Sequence, residues 1–349
     1  MERIAIMGAG AVGSYLGAFM TRAGEEVTLI DIWPENVEAM NAQGIQVSGS
    51  QGPFTVPVKA LHIHQVQAIQ EPFDIIFIAM KSYDTLWACH FMEPHLTPRG
   101  FAVSSQNSIN DEILASVFGR GRAVGCVMSH IEVALWEPGH VTRGGEPGRD
   151  RGHDVFRVGE LVGPVTPRVQ RVVELMSSID GAHGTTNIWG ERWAKLAANC
   201  LGNPVGAMSG LGSHGQADSA EARRLKMHIA REVVQVGQAL GYQVESVGGV
   251  EADTWLHIDQ GDVFEDLDGR LQAKGRVDWH ASMAQDIIKN RRTEIDQLNG
   301  LVSREGMDVG VPTPINNATI VMLHAIEAGE TKPDPSNLQK VLSQGGDAT

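Results

Sequence analysis

Residues 3–13 of the chain, Arg-Ile-Ala-Ile-Met-Gly-Ala-Gly-Ala-Val-Gly, join a short apolar strand pattern to a glycine-rich turn. The glycines have the spacing Gly-x-Gly-x-x-Gly, and a helical pattern follows them. In such a turn the first glycine permits a sharp bend, the second lets the backbone approach a pyrophosphate, and the third lets the helix pack on the strand. We therefore predict a dinucleotide-binding turn, and the alternative is a glycine-rich strand–helix turn without a ligand. The predicted cofactor-binding residues are Gly8, Ala9, Gly10, Ala11, Val12 and Gly13.

An acidic residue at the end of the second predicted strand supports this interpretation. Asp31 lies 18 residues after Gly13, close to the spacing at which an acid accepts hydrogen bonds from the adenosine ribose. A carboxylate there repels a 2′-phosphate, and no Arg or Lys follows between Ile32 and Glu38. We therefore expect NAD(H) to be the preferred cofactor, with NADP(H) as the alternative. The competing interpretation is an exposed aspartate that caps the helix beginning at Pro34.

Strand and helix patterns alternate through the first half of the chain. Strands are predicted at residues 3–7, 27–30, 74–80, 101–104 and 123–128, with helices at 12–23 and 34–41. This alternation favours a parallel, doubly wound α/β sheet. Residues 132–135, 140–143 and 155–159 predict antiparallel strands, and the Gly- and Arg-rich residues 144–153 predict an exposed hairpin loop.

The second half of the chain carries helical periodicity instead. Helices are predicted at residues 189–201, 217–240, 281–290 and 293–305. We expect a dinucleotide-binding domain over residues 1–186, a helical substrate and catalytic domain over 187–332, and a loose Pro- and Gly-rich tail over 333–349.

Composition narrows the class of protein. The chain has 349 residues, 42% of them hydrophobic, and a formal net charge of −14, which disfavours nucleic acid as a partner. The longest apolar run, residues 75–80, is far shorter than a membrane span of about 20 residues. Three widely spaced cysteines predict no disulfide framework, and the 13 histidines show no metal-ligand spacing. We expect a cytoplasmic protein that binds no metal and no membrane.

Polar residues follow two of the predicted strands. Lys81 comes directly after the strand at 74–80, and Asn107 comes shortly after the strand at 101–104. In open α/β sheets, ligands bind beyond the carboxyl ends of the strands. Each residue alone is also typical of an ordinary loop or turn.

The helix predicted from residue 189 carries a polar stripe. Lys195, Asn199 and Asn203 recur every four positions, so they share one face of a helix that is otherwise mainly apolar. Pro204 removes a hydrogen-bond donor, which frees the Cys200 carbonyl and predicts that the helix ends or kinks near Asn203. The alternative is a solvent-facing stripe, although asparagine is a poor helix former.

A second polar cluster lies between residues 282 and 300. Ser282 and Glu294 would lie about 120° apart on one straight helix, so a helix break between them would be needed to bring both to one site. Thr293 and Asp296 predict a capping box at that break. The alternative is a charged surface helix.

Together these motifs resemble the ketopantoate reductase (2-dehydropantoate 2-reductase) family over nearly the whole chain. The resemblance rests on the glycine turn, Lys81, Gln106-Asn107, Trp193-x-Lys195-x-x-x-Asn199-x-x-x-Asn203-Pro204, Ser282-Met283-x-Gln285-Asp286 and Thr293-Glu294-Ile295-Asp296-x-x-Asn299-Gly300. It implies an N-terminal Rossmann-type α/β domain followed by an all-α domain of the 6-phosphogluconate dehydrogenase type. It also implies an active site in the cleft between the domains and a homodimer.

The same resemblance implies roles for individual residues. Lys195 is the expected catalytic acid, and Glu294 is expected to orient it. Asn199, Asn203 and Ser282 are expected to hold a keto acid, Asn107 to lie between substrate and nicotinamide ribose, and Lys81 to contact the cofactor.

Three positions depart from the family pattern. Ser108 follows Asn107 where the family often has glycine, and Asp31 differs from the NADP-type pattern. Trp279 occupies a position where many members carry a substrate-binding asparagine, so we include it among the candidate substrate-binding residues. The chain also carries additional residues near 144–153 and 250–274.

The sequence therefore predicts an enzyme that reduces a 2-keto acid to a 2-hydroxy acid with NAD(P)H, with 2-dehydropantoate or a close analogue as the substrate. One alternative is a catabolic NAD-dependent hydroxy-acid or opine-type dehydrogenase of the same superfamily. A non-catalytic NAD-binding sensor is a further alternative, although it would have no need of a proton donor such as Lys195.

Overall fold

The computed structural model describes residues 2–129, 131–275 and 277–346, and it divides the chain into two compact units. The first unit is Met1–Ile188 and the second is Trp189–Thr349. The division falls two residues beyond the predicted boundary at residue 186.

The first unit is built on an eight-stranded sheet with the order β12-β11-β8-β7-β6-β1-β2-β5. The six strands from β8 to β5 are parallel, β11 is antiparallel to β8, and β12 is parallel to β11. The strands are β1 Arg3–Met7, β2 Glu26–Asp31, β5 Lys59–His62, β6 Phe73–Ile78, β7 Leu96–Ser104, β8 Ala123–Met128, β11 Phe156–Glu160 and β12 Ala182–Gly184. This sheet and its connecting helices confirm the predicted Rossmann-type α/β fold.

A second, four-stranded sheet was not expected from the sequence. Its order is β4-β3-β10-β9, formed by β3 Ile45–Gly49, β4 Phe54–Val56, β9 Val133–Glu137 and β10 His140–Arg143. The pairing of β9 with β10 is antiparallel, as predicted, but β11 belongs to the large sheet. The prediction of a hairpin loop at residues 144–153 is therefore wrong, because this segment connects two different sheets.

Helix α1 lies between the two sheets. A Cβ atom on Gly17 would lie 2.7 Å from Cδ2 of Leu29 on β2, while the ring of Phe19 meets Phe54 of β4 edge-on at 5.0 Å. Tyr15 and Leu16 are fully buried. The helices of this unit are α1 Ala11–Arg22, α2 Pro34–Gln43, α3 Thr85–Met92, α4 Asp111–Phe118 and α5 Pro167–Ser177.

A buried ion pair joins the second sheet to the chain segment after α5. Nη2 of Arg143, on β10, lies 2.5 Å from Oδ2 of Asp180, and both side chains are fully buried. Nη1 of Arg143 also donates to the Tyr15 hydroxyl at 3.1 Å. Burial alone would raise the pKa of Asp180, but hydrogen bonds from the backbone N–H of Arg149 and from Arg143 outweigh it and hold that pKa below its usual range.

We predict that Arg143→Met lowers the free energy of unfolding by about 3–5 kcal/mol, because it leaves the Asp180 carboxylate buried without its cation. Urea unfolding at neutral pH measures the loss. Arg120→Met is the control, since the ion pair of Arg120 with Glu112 is exposed and contributes less than about 1 kcal/mol. Equal losses in the two variants would contradict the assigned role.

The Arg143–Asp180 ion pair makes the stability of the fold at acid pH depend on the ionisation of Asp180. The pKa of Asp180 is depressed in the folded state, so the ionised carboxylate contributes its full stabilising free energy above the unfolded-state pKa of about 4. This free energy is lost as the pH falls through the lower, folded-state pKa. The stability difference between the parent and Arg143→Met should therefore shrink only below about pH 4.

The second unit is helical, with one isolated bridge between Val247 and Val250 among its described residues. The helices are α6 Ile188–Ser209, α7 Ser213–Asp218, α8 Ala220–Ala239, α9 Gly261–Leu271, α10 Ser282–Ile288, α11 Asn299–Val309, α12 Pro314–Glu327 and α13 Ser336–Gly346. The residues near 250–274 form a 3-10 helix, Ala252–His257, and α9. Arg223 of α8 holds α9 through an ion pair with Asp268 at 2.7 Å.

Two predicted helix boundaries differ from the structure. Helix α6 continues through Pro204 to Ser209, so the helix does not end near Asn203. A helix break between Ser282 and Glu294 is present, but α11 begins at Asn299 rather than at residue 293. The prediction of a capping box at Thr293 and Asp296 is therefore wrong. The Thr293 hydroxyl instead accepts a hydrogen bond from the Ile295 N–H at 3.3 Å.

The prediction of a loose tail is also wrong for residues 336–346. Helix α13 packs against α8 and α12, with Leu338 and Val341 fully buried. The Asn337 side chain donates to the Met208 carbonyl at 3.0 Å, which attaches the start of α13 to the end of α6. The apolar residues at helical spacing favour a packed helix here more strongly than the neighbouring Pro and Gly residues disfavour it.

Candidate active site

The glycine-rich turn between β1 and α1 has the geometry that its spacing predicts. Gly8 has φ +99°, a conformation that favours glycine. A Cβ atom on Gly13 would lie 1.8 Å from the Gly8 carbonyl oxygen, so the helix can approach the turn only without a side chain there. At Gly10, by contrast, an added Cβ would have no atom within 4 Å. The backbone at Gly10 therefore borders open space.

The start of α1 is available to a ligand. Gly10 is the N-cap residue, and no side chain of the described residues caps the helix there. The Ala9 carbonyl is held by the Ser14 hydroxyl at 2.7 Å and by Nδ2 of Asn36 at 2.9 Å. The first N–H groups of a helix attract anions, so this turn fits a pyrophosphate group.

Asp31 ends β2 and is buried, with 9% of its surface exposed. Its Oδ1 accepts from the Trp33 N–H at 2.9 Å, and Trp33, not Asp31, is the N-cap residue of α2. Burial raises the pKa of Asp31, while hydrogen bonds from the backbone N–H groups of Trp33, Ala9 and Ile32 oppose that rise. The alternative of an exposed aspartate that caps α2 is therefore wrong.

The segments after β6 and β7 are bound to each other at the same edge of the sheet. The Asn107 carbonyl accepts from the Ser82 hydroxyl at 3.0 Å and from Nδ2 of Asn110 at 2.8 Å. Nε2 of Gln106 donates to the Met80 carbonyl at 2.8 Å. These bonds fix the backbone on either side of Lys81 and at Asn107. Both residues therefore lie at the carboxyl edge that Gly8 and Asp31 also occupy.

Ser108 adopts a conformation that favours glycine. It is buried and has φ +70°. A Cβ atom in the left-handed region costs about 1–2 kcal/mol. Ser108 therefore holds this backbone conformation at a cost in stability.

We predict that Ser108→Gly is more stable than Ser108→Ala by about 1 kcal/mol, because both lose the hydroxyl group and only glycine removes the Cβ strain. Thermal unfolding of the two variants measures the difference. A more stable alanine variant would contradict the strained conformation.

In the second unit, α6 carries the polar stripe. Asn199 and Asn203 are buried, with 6% and 8% of their surfaces exposed, and Lys195 is half-buried. The alternative of a solvent-facing stripe is therefore wrong for the two asparagines. On the apolar part of α6, Trp193 stacks on Tyr242 at 6.0 Å between ring centroids.

A buried polar chain supports α6 where Pro204 interrupts its hydrogen bonding. Nδ2 of Asn299 donates to the Cys200 carbonyl, the acceptor that Pro204 leaves without a helical donor, at 3.4 Å. The same amide donates to Oδ1 of Asn316 at 2.9 Å, and Nδ2 of Asn316 donates to Glu232 at 2.7 Å. Asn299 and Asn316 are fully buried and Glu232 is nearly so. This chain connects α6, α11, α12 and α8.

Glu232 and Asn316 were missed by the sequence reasoning. The Glu232 carboxylate accepts from the N–H groups of Ile315 and Asn316, both at 2.9 Å, and so caps α12 from a distance. Burial raises the pKa of Glu232, and the hydrogen bonds from Asn316 and Ile315 oppose the rise. The available signal was an acid on the apolar face of α8, next to Val233 and Ile229.

The remaining candidates lie around α10. Ser282 is the first residue of α10 and is half-buried, while Glu294 is buried on the turn before α11. Trp279 is half-buried, and its backbone is paired with Ser213: its N–H donates to the Ser213 hydroxyl and its carbonyl accepts from the Ser213 N–H, both at 3.0 Å. The structure thus gives this tryptophan a fixed backbone.

Within residues 2–129, 131–275 and 277–346, no group of three or more His, Cys, Asp or Glu side chains could hold a metal ion. None of the helices in those ranges is long and apolar enough to cross a lipid bilayer.

A Rossmann-type unit with an open glycine turn, followed by a helical unit, is typical of NAD(P)-dependent oxidoreductases that act on a CH–OH group. Comparison with known proteins identifies the family. A model described as ketopantoate reductase PanE/ApbA matches residues 4–151, and the model of its C-terminal part matches residues 187–327. The chain belongs to the ketopantoate reductase family and is an NAD(P)-dependent oxidoreductase.

Curated relatives agree with this assignment. The chain is 26% identical to a 2-dehydropantoate 2-reductase of Archaeoglobus fulgidus over 94% of this chain and 99% of the relative. It is 28% identical to a 2-dehydropantoate 2-reductase of Pyrococcus abyssi over 95% of this chain and 99% of the relative.

Solved structures have the same fold. A PanE/ApbA family ketopantoate reductase from Ralstonia eutropha JMP134 is 26% identical with a TM-score of 0.75, covering 94% of this chain and 99% of that one. A D-mandelate dehydrogenase solved with NADH and anilino(oxo)acetate has a TM-score of 0.78 at 21% identity, with the same coverage, and shows likeness of fold alone.

Proposed function

We propose that this protein reduces a 2-keto acid to the corresponding 2-hydroxy acid with NAD(H), with 2-dehydropantoate or a close analogue as the substrate. The observation that carries the proposal is the α6 stripe, in which buried Asn199 and Asn203 continue the line of half-buried Lys195. The Lys195 ammonium and the two side-chain amides are all hydrogen-bond donors, and a 2-keto acid offers acceptors to such a row through its carboxylate and its carbonyl oxygen.

The first unit would hold the cofactor. The N–H groups at the start of α1 and the open backbone at Gly10 would bind the pyrophosphate, and Asp31 would accept from the adenosine ribose. Lys81 and Asn107 would contact the cofactor near the nicotinamide end. When bound, the reduced cofactor supplies a hydride to the carbonyl carbon of the substrate. Since a carboxylate repels a 2′-phosphate, we propose that NAD(H) is preferred over NADP(H).

The second unit would supply the proton. Negative charge builds on the carbonyl oxygen as the carbon is reduced, and the Lys195 ammonium would stabilise that charge and donate the proton. Glu294 would orient the ammonium group. Asn199, Asn203 and Ser282 would hold the keto acid, and Asn107 would lie beside the reacting carbon.

We predict that Lys195→Ala lowers turnover about a hundredfold or more, because it removes the proton donor, while the Kd for NADH changes less than about twofold. Steady-state kinetics and NADH fluorescence titration measure the two effects. Lys332→Ala is the matched control, since it removes an exposed lysine of the same unit and should leave both values unchanged. Near-normal turnover in Lys195→Ala would refute the mechanism.

A second candidate function is a hydroxy-acid dehydrogenase that acts on a larger, less polar substrate in the oxidative direction. Trp279 favours it, because an indole in place of an amide removes a hydrogen-bonding group and adds apolar surface. The hydrogen bonds of its backbone with Ser213 would hold the indole at one position. The two candidates share the cofactor and Lys195, and they differ in the substrate side chain and in the direction of the reaction.

We also propose that the protein works in the cytoplasm as a homodimer. The three cysteines, Cys89, Cys126 and Cys200, are all free and buried, as is usual for proteins of a reducing compartment. A neighbouring structure of 17% identity, from Staphylococcus aureus, is described as a dimeric ketopantoate reductase.

A further inference from the structure

A pocket of about 590 Å³ lies within the first unit, at the end of α1 opposite to the glycine-rich turn. Its volume is in the range of small-molecule sites. Helix α1 begins at the carboxyl edge of the sheet and has 12 residues, so about 18 Å separate its two ends. None of the residues that line this pocket has a part in the proposed mechanism. The pocket is therefore separate from the proposed cofactor site.

Four segments of the chain form the walls of this pocket. They are the end of α1, the turn between β3 and β4, the connection from β10 to β11, and the residues that follow α5. Nε2 of Gln51, in the turn, donates to the Ile179 carbonyl at 2.8 Å. The Arg149 N–H, in the connection, donates to Oδ1 of Asp180 at 2.8 Å. Hydrogen bonds of the fold itself therefore hold the walls together.

Two arginine side chains line the pocket. Cζ of Arg22 lies 4.3 Å from the centroid of the Phe54 ring, and Nη2 of Arg149 donates to the Ser177 carbonyl at 2.5 Å. A guanidinium group has five N–H donors. Among the described residues, Arg22 uses none of them in a hydrogen bond or ion pair, and Arg149 uses one. Both cations are therefore held in place and retain donors for a ligand.

The acidic groups around the pocket cancel only part of this positive charge. The Asp180 carboxylate is neutralised by its buried ion pair with Arg143. Glu25, just beyond α1, is paired with Arg171 at 2.7 Å. Asp150 is exposed and forms no ion pair within the described part of the chain. Two arginines thus face one unpaired carboxylate, which leaves a local positive charge on a chain whose net charge is −14.

The helix ends at the pocket do not favour a cation there. The C-terminal end of a helix carries partial negative charge on its last carbonyl groups, and both α1 and α5 end at this pocket. However, the Phe19 carbonyl accepts from the Ala23 N–H at 2.9 Å, and the Ser177 carbonyl accepts from Arg149. Because these acceptors are already occupied, the arginine donors are the strongest polar groups left for a ligand.

We propose that this pocket is a second ligand site, which binds a small phosphate monoester through Arg22 and Arg149. A phosphate monoester carries a charge of about −1.5 to −2 at neutral pH, and its oxygens accept the paired N–H groups of guanidinium. Two arginines match that charge, whereas a carboxylate would need only one. Asp150 weakens the attraction, but it and the Ser50 hydroxyl can bond hydroxyl groups of the ligand. The proposal does not depend on the proposed reaction.

Isothermal titration of the full-length protein with glycerol 3-phosphate at neutral pH tests the site, and glycerol is the uncharged control probe. NADH is present in excess, because the glycine-rich turn also attracts phosphate. Arg22→Met and Arg149→Met should each raise the Kd for glycerol 3-phosphate about tenfold, since each removes charge-assisted donors. Asp150→Asn should lower this Kd about twofold, since it removes a like charge. Arg120→Met, which removes an exposed arginine outside the pocket, should bind as the parent does.

Three results would overturn the proposal. They are no binding of glycerol 3-phosphate up to about 20 mM, equally tight binding of glycerol, and the same Kd in the parent and both arginine variants. The Kd for NADH should be the same in Arg22→Met and the parent, which shows that the variant is folded and that the two sites are separate. Failure of NADH to bind would contradict the cofactor assignment alone, since the arginine variants still report on the pocket.

Discussion

The contact between the start of α1 and the turn after β1 is the constraint on which the first unit depends. The absence of a side chain at Gly13 lets the helix approach the Gly8 carbonyl, and Gly17 lets the same helix lie against Leu29. Because α1 packs on both sheets, its position also sets where the second sheet lies. The buried Arg143, which bonds both Tyr15 of α1 and Asp180, holds that arrangement from the other side. A single close approach thus places the open backbone at Gly10 at the carboxyl edge of the sheet.

In the second unit, a network of buried polar side chains fixes the position of α6. Pro204 would weaken α6 in the middle of the stripe, yet the helix continues because Asn299 takes up the Cys200 carbonyl. Asn316 and Glu232 complete the chain, so the side chains of Asn299, Asn316 and Glu232 are hydrogen-bonded one to the next, while Oδ1 of Asn299 accepts no hydrogen bond among the described residues. Such a network is costly to disturb, because removing one member leaves the others buried without partners. The network therefore fixes the segment of α6 that carries Asn199 and Asn203.

Local patterns in the sequence were sufficient for much of the fold. The glycine spacing, the buried strands and the helical periodicity after residue 189 each depend on neighbouring residues, and the structure has the elements they predict. The second sheet was missed because β3 pairs with β10, nearly a hundred residues away, and no local pattern encodes that partnership. The tail and the start of α11 were predicted wrongly for a similar reason, since tertiary packing outweighed Pro, Gly and capping signals.

Only part of the candidate site could be predicted from the sequence. Lys195, Asn199 and Asn203 stand out by their spacing, whereas Glu232 and Asn316 act through contacts between distant helices.

The central claim is that this chain reduces 2-keto acids with NADH, and a keto-acid screen tests it most directly. Purified protein is mixed with NADH and, in turn, 2-dehydropantoate, a phenyl-substituted 2-keto acid, pyruvate and a 3-keto acid, while the loss of NADH absorbance is followed. The account predicts that NADH is consumed with at least one 2-keto acid, mole for mole with the 2-hydroxy acid formed. Tight NADH binding without oxidation by any 2-keto acid would contradict it.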